Sequence, residues 1–211
     1  MSRSRIDFNA LPTRARLLLA EGSSEVGLLE AIVAELRIER TVVFDVKGER
    51  QLGTVLKALS LEAESRELLS CLGIVFDANA DCGAKLTSIA AILRSNGFDF
   101  DEAQVDQYGI YAGPRLPIGI FVSPGQGRSG RIEHMILEEV ASSSVGECID
   151  QLAMCVGRSV GRALDEKGRV QAYLASFNAA HGVAVAFEKR ILNIRHQAYA
   201  DAREMVRQLT K

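Results

Sequence analysis

The run Leu72–Phe76, five residues with no polar interruption, stops abruptly at Asp77. A short continuous apolar run is the pattern of a strand buried on both faces, which in turn requires helices above and below a parallel sheet. A carboxylate at its end stands at the C-terminal edge of that sheet, where ligands bind in open α/β folds because loops and helix N-termini converge there. Asn79, Asp81 and Gly83 then form a turn, and Leu86, Ile89, Ala90 and Leu93 resume at helical spacing. The stretch reads as strand, acidic elbow and helix.

The same unit recurs along the chain. ARLLLA from Ala15 is a second buried strand ending in Glu21-Gly22, with Ser23 or Ser24 as cap. A helix follows over about Ser24–Arg37, on the spacing of Val26, Leu29, Ile32, Val33 and Leu36. TVVFDV from Thr41 is β-branched and aromatic, hence a strand, broken by Gly48. Leu52, Val55, Leu56 and Leu59 carry a helical stripe that continues less regularly to Leu69, and Asn96-Gly97 stops the helix after the elbow. Phe98–Arg115 is mixed, with Tyr108 and Tyr111 as candidates for a short strand. PIGIFV from Pro117 is a strand followed by the loop SPGQGRSGR, and a helix resumes from about Arg131. Residues 142–211 read as two or three helices, the GVAVAF run being the one strand-like segment; Ile191 and Ile194 fall among their apolar positions.

Alternating strands and helices imply right-handed parallel crossovers and a three-layer α/β/α architecture with a mostly parallel central sheet and a helical C-terminal third. The expected organisation is a flexible arm over 1–13, an α/β domain over 14–141 and a helical extension over 142–211 packed on it. The 211 residues, 47% hydrophobic and 25% charged, suit one soluble core. No apolar run approaches the ~20 residues that cross a bilayer. The start MSRSRIDFNALPTR has charge but no apolar region after it, so a cytoplasmic protein with no membrane partner is expected. Four cysteines lack zinc spacing and read as reduced, small and apolar. A net charge of −2 neither requires nor excludes nucleic acid, and homo-oligomerisation is left open.

Glu21 and Asp77 close two strands. If these are neighbours, adjacent strands ~5 Å apart bring the carboxylates together, and they repel unless one is protonated or a cation lies between them. Hard oxygen ligands of this kind suit Mg²⁺ or Mn²⁺, although acids at strand ends also cap helices or face water. Glu25, one turn after Glu21, can reach the same edge, and the helix dipole favours an acid there in any case. Lys47 and Lys85 are candidates to neutralise phosphate oxygens, as are Arg128 and Arg131 in the Gly-rich loop; the loop lacks GxxxxGK[ST] and is no P-loop. His134 reads as structural, and His181 and His196 have no partners at metal spacing.

AEGSSE after one strand, DAN after another, and Ser123-Pro-Gly-Gln-Gly leading to Ile132-Glu133 together resemble the TOPRIM superfamily of primases, type II topoisomerases and nucleases of the overcoming-lysogenization-defect type. The nearest likeness is to small TOPRIM-like proteins of the DUF3226 group. It covers residues 15–140 and, weakly, the tail. The resemblance places Glu21-Gly22 in the first motif, Asp77, Ala78, Lys85 and Ser88 in the second, and Ile132-Glu133 in the third. It implies a Mg²⁺- or Mn²⁺-dependent nuclease-type domain that cleaves phosphodiesters in nucleic acid. Glu21, Asp77 and Lys85 would be catalytic, and Glu21, Asp77, Asn79, Asp81 and Glu133 metal-facing. Lys47, Arg128 and Arg131 would be the phosphate contacts. Asn79 stands where the family carries a second acid, with Asp81 two residues on. The alternative is therefore a catalytically degenerate nucleotide- or protein-binding module working with a partner ATPase. A receiver-like phosphoacceptor domain lacks its paired acids after the first strand.

Overall fold

The computed structural model describes residues 11–61, 69–125, 127–179 and 182–211. Most of the expected N-terminal arm, His181 and Gln126 lie outside these residues. The strands are β1 (Ala15–Ala20), β2 (Thr41–Asp45), β3 (Leu69–Asp77), β4 (Ile110–Ala112) and β5 (Pro117–Ser123). They form one sheet in the order β2-β1-β3-β5-β4, parallel except for β4, which runs antiparallel to β5. The helices are α1 (Ser23–Leu36), α2 (Glu49–Leu61), α3 (Cys82–Ser95), α4 (Ile132–Val140), α5 (Ser144–Val160), α6 (Glu166–Ser176), α7 (Val183–Glu188) and α8 (Ala200–Leu209).

Strand side chains alternate between two cores, as the pleat requires. Leu17, Leu19, Leu72, Ile74 and Phe76 join Leu52 and Leu56 of α2 and Ile89 and Leu93 of α3 on one face. On the other, Leu18, Ala20 and Val75 join α1, α4 and the helices of the C-terminal third. That is the expected three-layer α/β/α arrangement. The C-terminal third packs directly on the sheet because glycines make room for it. A Cβ on Gly73 would stand 3.2 Å from Leu209 Cδ2, and one on Gly119 would stand 2.8 Å from Met205 Sδ, so α8 lies against β3 and β5.

Several boundaries differ from expectation. β3 begins at Leu69 rather than Leu72, while α2 is helical to Leu61 and its expected continuation falls mainly in 62–68, outside the described residues. The cap of α1 is Gly22, with no side-chain cap bond, so neither serine serves. Of the two tyrosines, Tyr111 is on β4 and Tyr108 precedes it. The strand-like GVAVAF run is helix α7: Val183, Ala186 and Phe187 bury one helical stripe, and Ala184 crosses α1 so closely that a Cβ on Gly27 would meet its backbone nitrogen at 2.5 Å. Tertiary crossing overrides β-propensity there. Ile191 and Ile194 lie between α7 and α8, outside any α-helix.

Candidate metal centre

β1 and β3 are parallel neighbours in the register Ala20↔Val75, so both end at one rim. Glu21 N–H donates to Val75 O at 3.0 Å, and Asp77 N–H donates to Glu21 Oε2 at 3.0 Å. The two strand-end acids are thus joined through the backbone. β5 contributes Ser123, fully buried, whose hydroxyl donates to Asp77 Oδ1 at 2.5 Å; the N–H of Ile132, at the start of α4, donates to the same oxygen at 3.0 Å. Asp77 is therefore held by two elements besides its own.

Glu25, in the first turn of α1, is 5% exposed and stands within the field of Asp77, Glu21 and Glu133. Burial, and after it the charge of Asp77, pushes its carboxyl up to about 8. Burial likewise raises Glu21 and Asp77 above the ordinary carboxylate range, against the bonds from the Asp77 amide and from Ser123 respectively. Glu133, one residue into α4, has its Oε2 buried with no hydrogen-bond partner. Four carboxylates, from two strand ends and two helix starts, therefore lie within one another's electrostatic field.

Lys85 lies in the field of Glu21, which it pulls downward, and its Nζ is 2.6 Å from Glu49 Oε2 at the start of α2. Ser88 donates to the other Glu49 oxygen at 2.5 Å. Those two bonds hold Glu49 below the usual range. Lys85 is thus held in place by its salt bridge to Glu49.

The other expected residues are engaged locally. Asn79 has φ 54° and exchanges backbone bonds with Gly130, 2.7 and 2.8 Å, tying the elbow to the loop after β5. Its Oδ1 accepts from Arg131 Nε at 2.9 Å. Asp81 caps α3, accepting from Ala84 N–H at 3.0 Å. Arg128 pairs with Glu138 at 3.1 Å and donates to Pro124 O. Arg131 also lowers Asp77 by its charge. Lys47 occupies the turn after β2, its N–H donating to Asp45 Oδ1 at 2.8 Å. His134 Nδ1 accepts from Arg131 N–H at 3.2 Å, a structural role.

The donor set is all carboxylate, which suits a hard divalent cation, and the unpartnered Glu133 oxygen and the burial-raised acids are compatible with one. Yet no three His, Cys, Asp or Glu side chains among the described residues stand as a group ready to hold an ion. Sequence reasoning placed Glu21, Asp77 and Glu133 here but gave no role to Glu49 or Ser123. Glu25 had a visible signal, its spacing of four from Glu21, and Ser123 opens the Ser-Pro-Gly-Gln-Gly segment; Glu49 had none.

No curated protein matches the chain. Among solved structures, the C-terminal region of the Burkholderia pseudomallei OLD protein is similar with a TM-score of 0.53 at 13% identity, over 94% of this chain and 99% of that one. The C-terminal region of the Xanthomonas campestris pv. campestris OLD protein gives 0.46 at 16% identity, over 93% and 95%. The first likeness is one of fold. A family model described as a protein of unknown function, DUF3226, matches residues 15–211, and the chain belongs to that family.

Proposed function

We propose that the chain is a TOPRIM-like, Mg²⁺- or Mn²⁺-dependent domain that cleaves phosphodiester bonds in nucleic acid. The observation that carries this reading is the meeting of Glu21, Glu25, Asp77 and Glu133 at one rim, with one buried carboxylate oxygen left unpartnered. Residues 14–141 would carry the site, and 142–211 would be an extension whose side chains share the core of α1 and α4.

In this reading Glu21, Asp77 and Glu133 hold the ion, with Glu25 beside them and Asn79 and Asp81 at the margin. When bound, the cation supplies charge neutralisation at the phosphodiester. Without a cation, burial and the neighbouring carboxylates hold the proton on Glu25 to about 8, and a cation beside it would lower that value. Ser123 and the Ile132 amide fix Asp77. Lys85, steered by Glu49, and Arg131 offer positive charge to phosphate oxygens, and Lys47 and Arg128 lie on loops that border the rim.

The test is nicking of supercoiled plasmid with Mn²⁺ or Mg²⁺. Asp77→Ala lowers the rate by about a hundredfold or more while the far-UV circular dichroism is unchanged. Equal nicking by the variant rejects the reading.

A second reading has its own observation: Asn79 is bonded to Arg131 and the acids form no ready shell. It makes the chain a degenerate nucleotide- or protein-binding module working with a partner ATPase. Specific Mn²⁺ binding by calorimetry that Glu21→Gln removes decides against it.

A further inference from the structure

Beside the carboxylate rim, on the far side of the first turn of α3, lies a cavity of about 760 Å³ that none of the proposed chemistry uses. Its floor is the end of β5, with Val122, and its walls are α3, the segment before β4 and the start of α8. Leu86 and Tyr108, two of the large apolar side chains left exposed among the described residues, at 37% and 36%, both line it. The volume is in the range of built ligand sites, about 300–1,000 Å³, and exceeds what one side chain fills.

The charged side chains that line the cavity are all acidic among the described residues, though most are already engaged. Glu102, Asp106, Asp201 and Glu204 line it, and no Lys or Arg does among the described residues. Asp106 is spent on the N–H groups of Tyr108 and Ile110, at 2.8 and 2.9 Å. Glu204 is paired with Arg207 and Gln208, and Glu102 is 3.6 Å from Arg94. The Asp201 side chain, half-buried, has no hydrogen bond or ion pair among the described residues. Asp201 is therefore the lining acid that a cationic group can still engage. An occupant has to bring cationic heads on apolar stems: the stem lies along Leu86 and Val122, the head reaches Asp201, and a guanidinium can stack on the Tyr108 ring.

From this complementarity we infer that the cavity is a docking site for a short arginine- or lysine-bearing segment of a partner protein, separate from the rim that would meet phosphates. The inference stands whether or not the rim binds metal. The probe is a fluorescein-labelled hexapeptide of alternating leucine and arginine, titrated by anisotropy against the full chain in EDTA. The wild type binds it saturably and less tightly as salt rises. Asp201→Asn and Tyr108→Ala each weaken binding about tenfold, ~1.4 kcal/mol, with thermal unfolding unchanged, and Asp77→Asn leaves it intact. The inference is overturned by absence of saturable binding, by equal binding to Asp201→Asn, or by a loss in Asp77→Asn, which moves the contact to the rim. Displacement of the peptide by a single-stranded oligonucleotide in an Asp201-dependent way also overturns it, since the cavity would then read a base.

Discussion

Glu25 is a buried acid on the first turn of a helix, where the dipole favours its charge, yet burial and three neighbouring carboxylates outweigh that and keep it protonated near neutrality. The consequence for stability has a definite sign. An acid whose folded-state pKa is raised contributes stability that is fully present below about 4.5 and is lost as pH climbs through about 8. In EDTA, urea unfolding of the wild type should therefore show stability falling over that interval and levelling above it. Glu25→Gln should flatten the decline and be the more stable protein at pH 8.5, by a few kcal/mol at most, since a tenfold change in proton affinity is worth ~1.4 kcal/mol. A wild type whose stability is flat from pH 5 to 8 would contradict the assignment. Ser123 offers a second residue-level test. Ser123→Ala removes a fully buried donor from Asp77 while leaving the Ile132 amide, so denaturant titration at pH 7 should show a loss of about 1–3 kcal/mol.

Among the elements, α8 depends most visibly on what its partners lack. Gly119 and Gly73 give the sheet a smooth lane into which Met205 and Leu209 fit. Gly119→Val should cost at least 1–3 kcal/mol, roughly the price of overpacking a core, and Leu209→Ala should return part of it in the double variant. Additive losses would mean that the two sites do not share the contact. The elbow after β3 is built on the same scale: Asp81 caps α3, the Asn79–Gly130 bridge fastens the turn to the loop before α4, and Glu49 of α2 clamps Lys85 of α3. Most of these elements were legible in the chain. Apolar runs marked β1, β3 and β5, because strands buried on both faces admit little polar interruption, and β-branched and aromatic composition marked β2 at the edge of the sheet. The GVAVAF run misled for the same reason: a short apolar segment has no period long enough to tell a strand from a helix, and packing against Gly27 made it α7.

For the whole molecule, the architecture makes one rim acidic, and a divalent cation would be a ligand of the folded state alone. Mn²⁺ should raise the unfolding temperature with concentration, and more at pH 8.5 than at pH 6, because the carboxylates must lose protons to bind it. In Glu21→Gln the shift should vanish. A shift of equal size in that variant would place the ion elsewhere. Glu139 joins the C-terminal third to this frame, accepting from the Tyr199 hydroxyl at 2.6 Å and the Asn193 amide at 2.7 Å.

By itself the sequence determined β1, β2, β3 and β5, most of their helical connections and the two acids that end β1 and β3, because each is encoded by neighbours a few residues apart. Only the tertiary structure decided that β1 lies beside β3, that Glu25 is buried among carboxylates, that Glu49 holds Lys85 and that Ser123 holds Asp77. Those contacts join residues 36 to 56 or more positions apart, or depend on the packing around a single turn. Strand order and helix crossing fix them, and neither is written in local spacing.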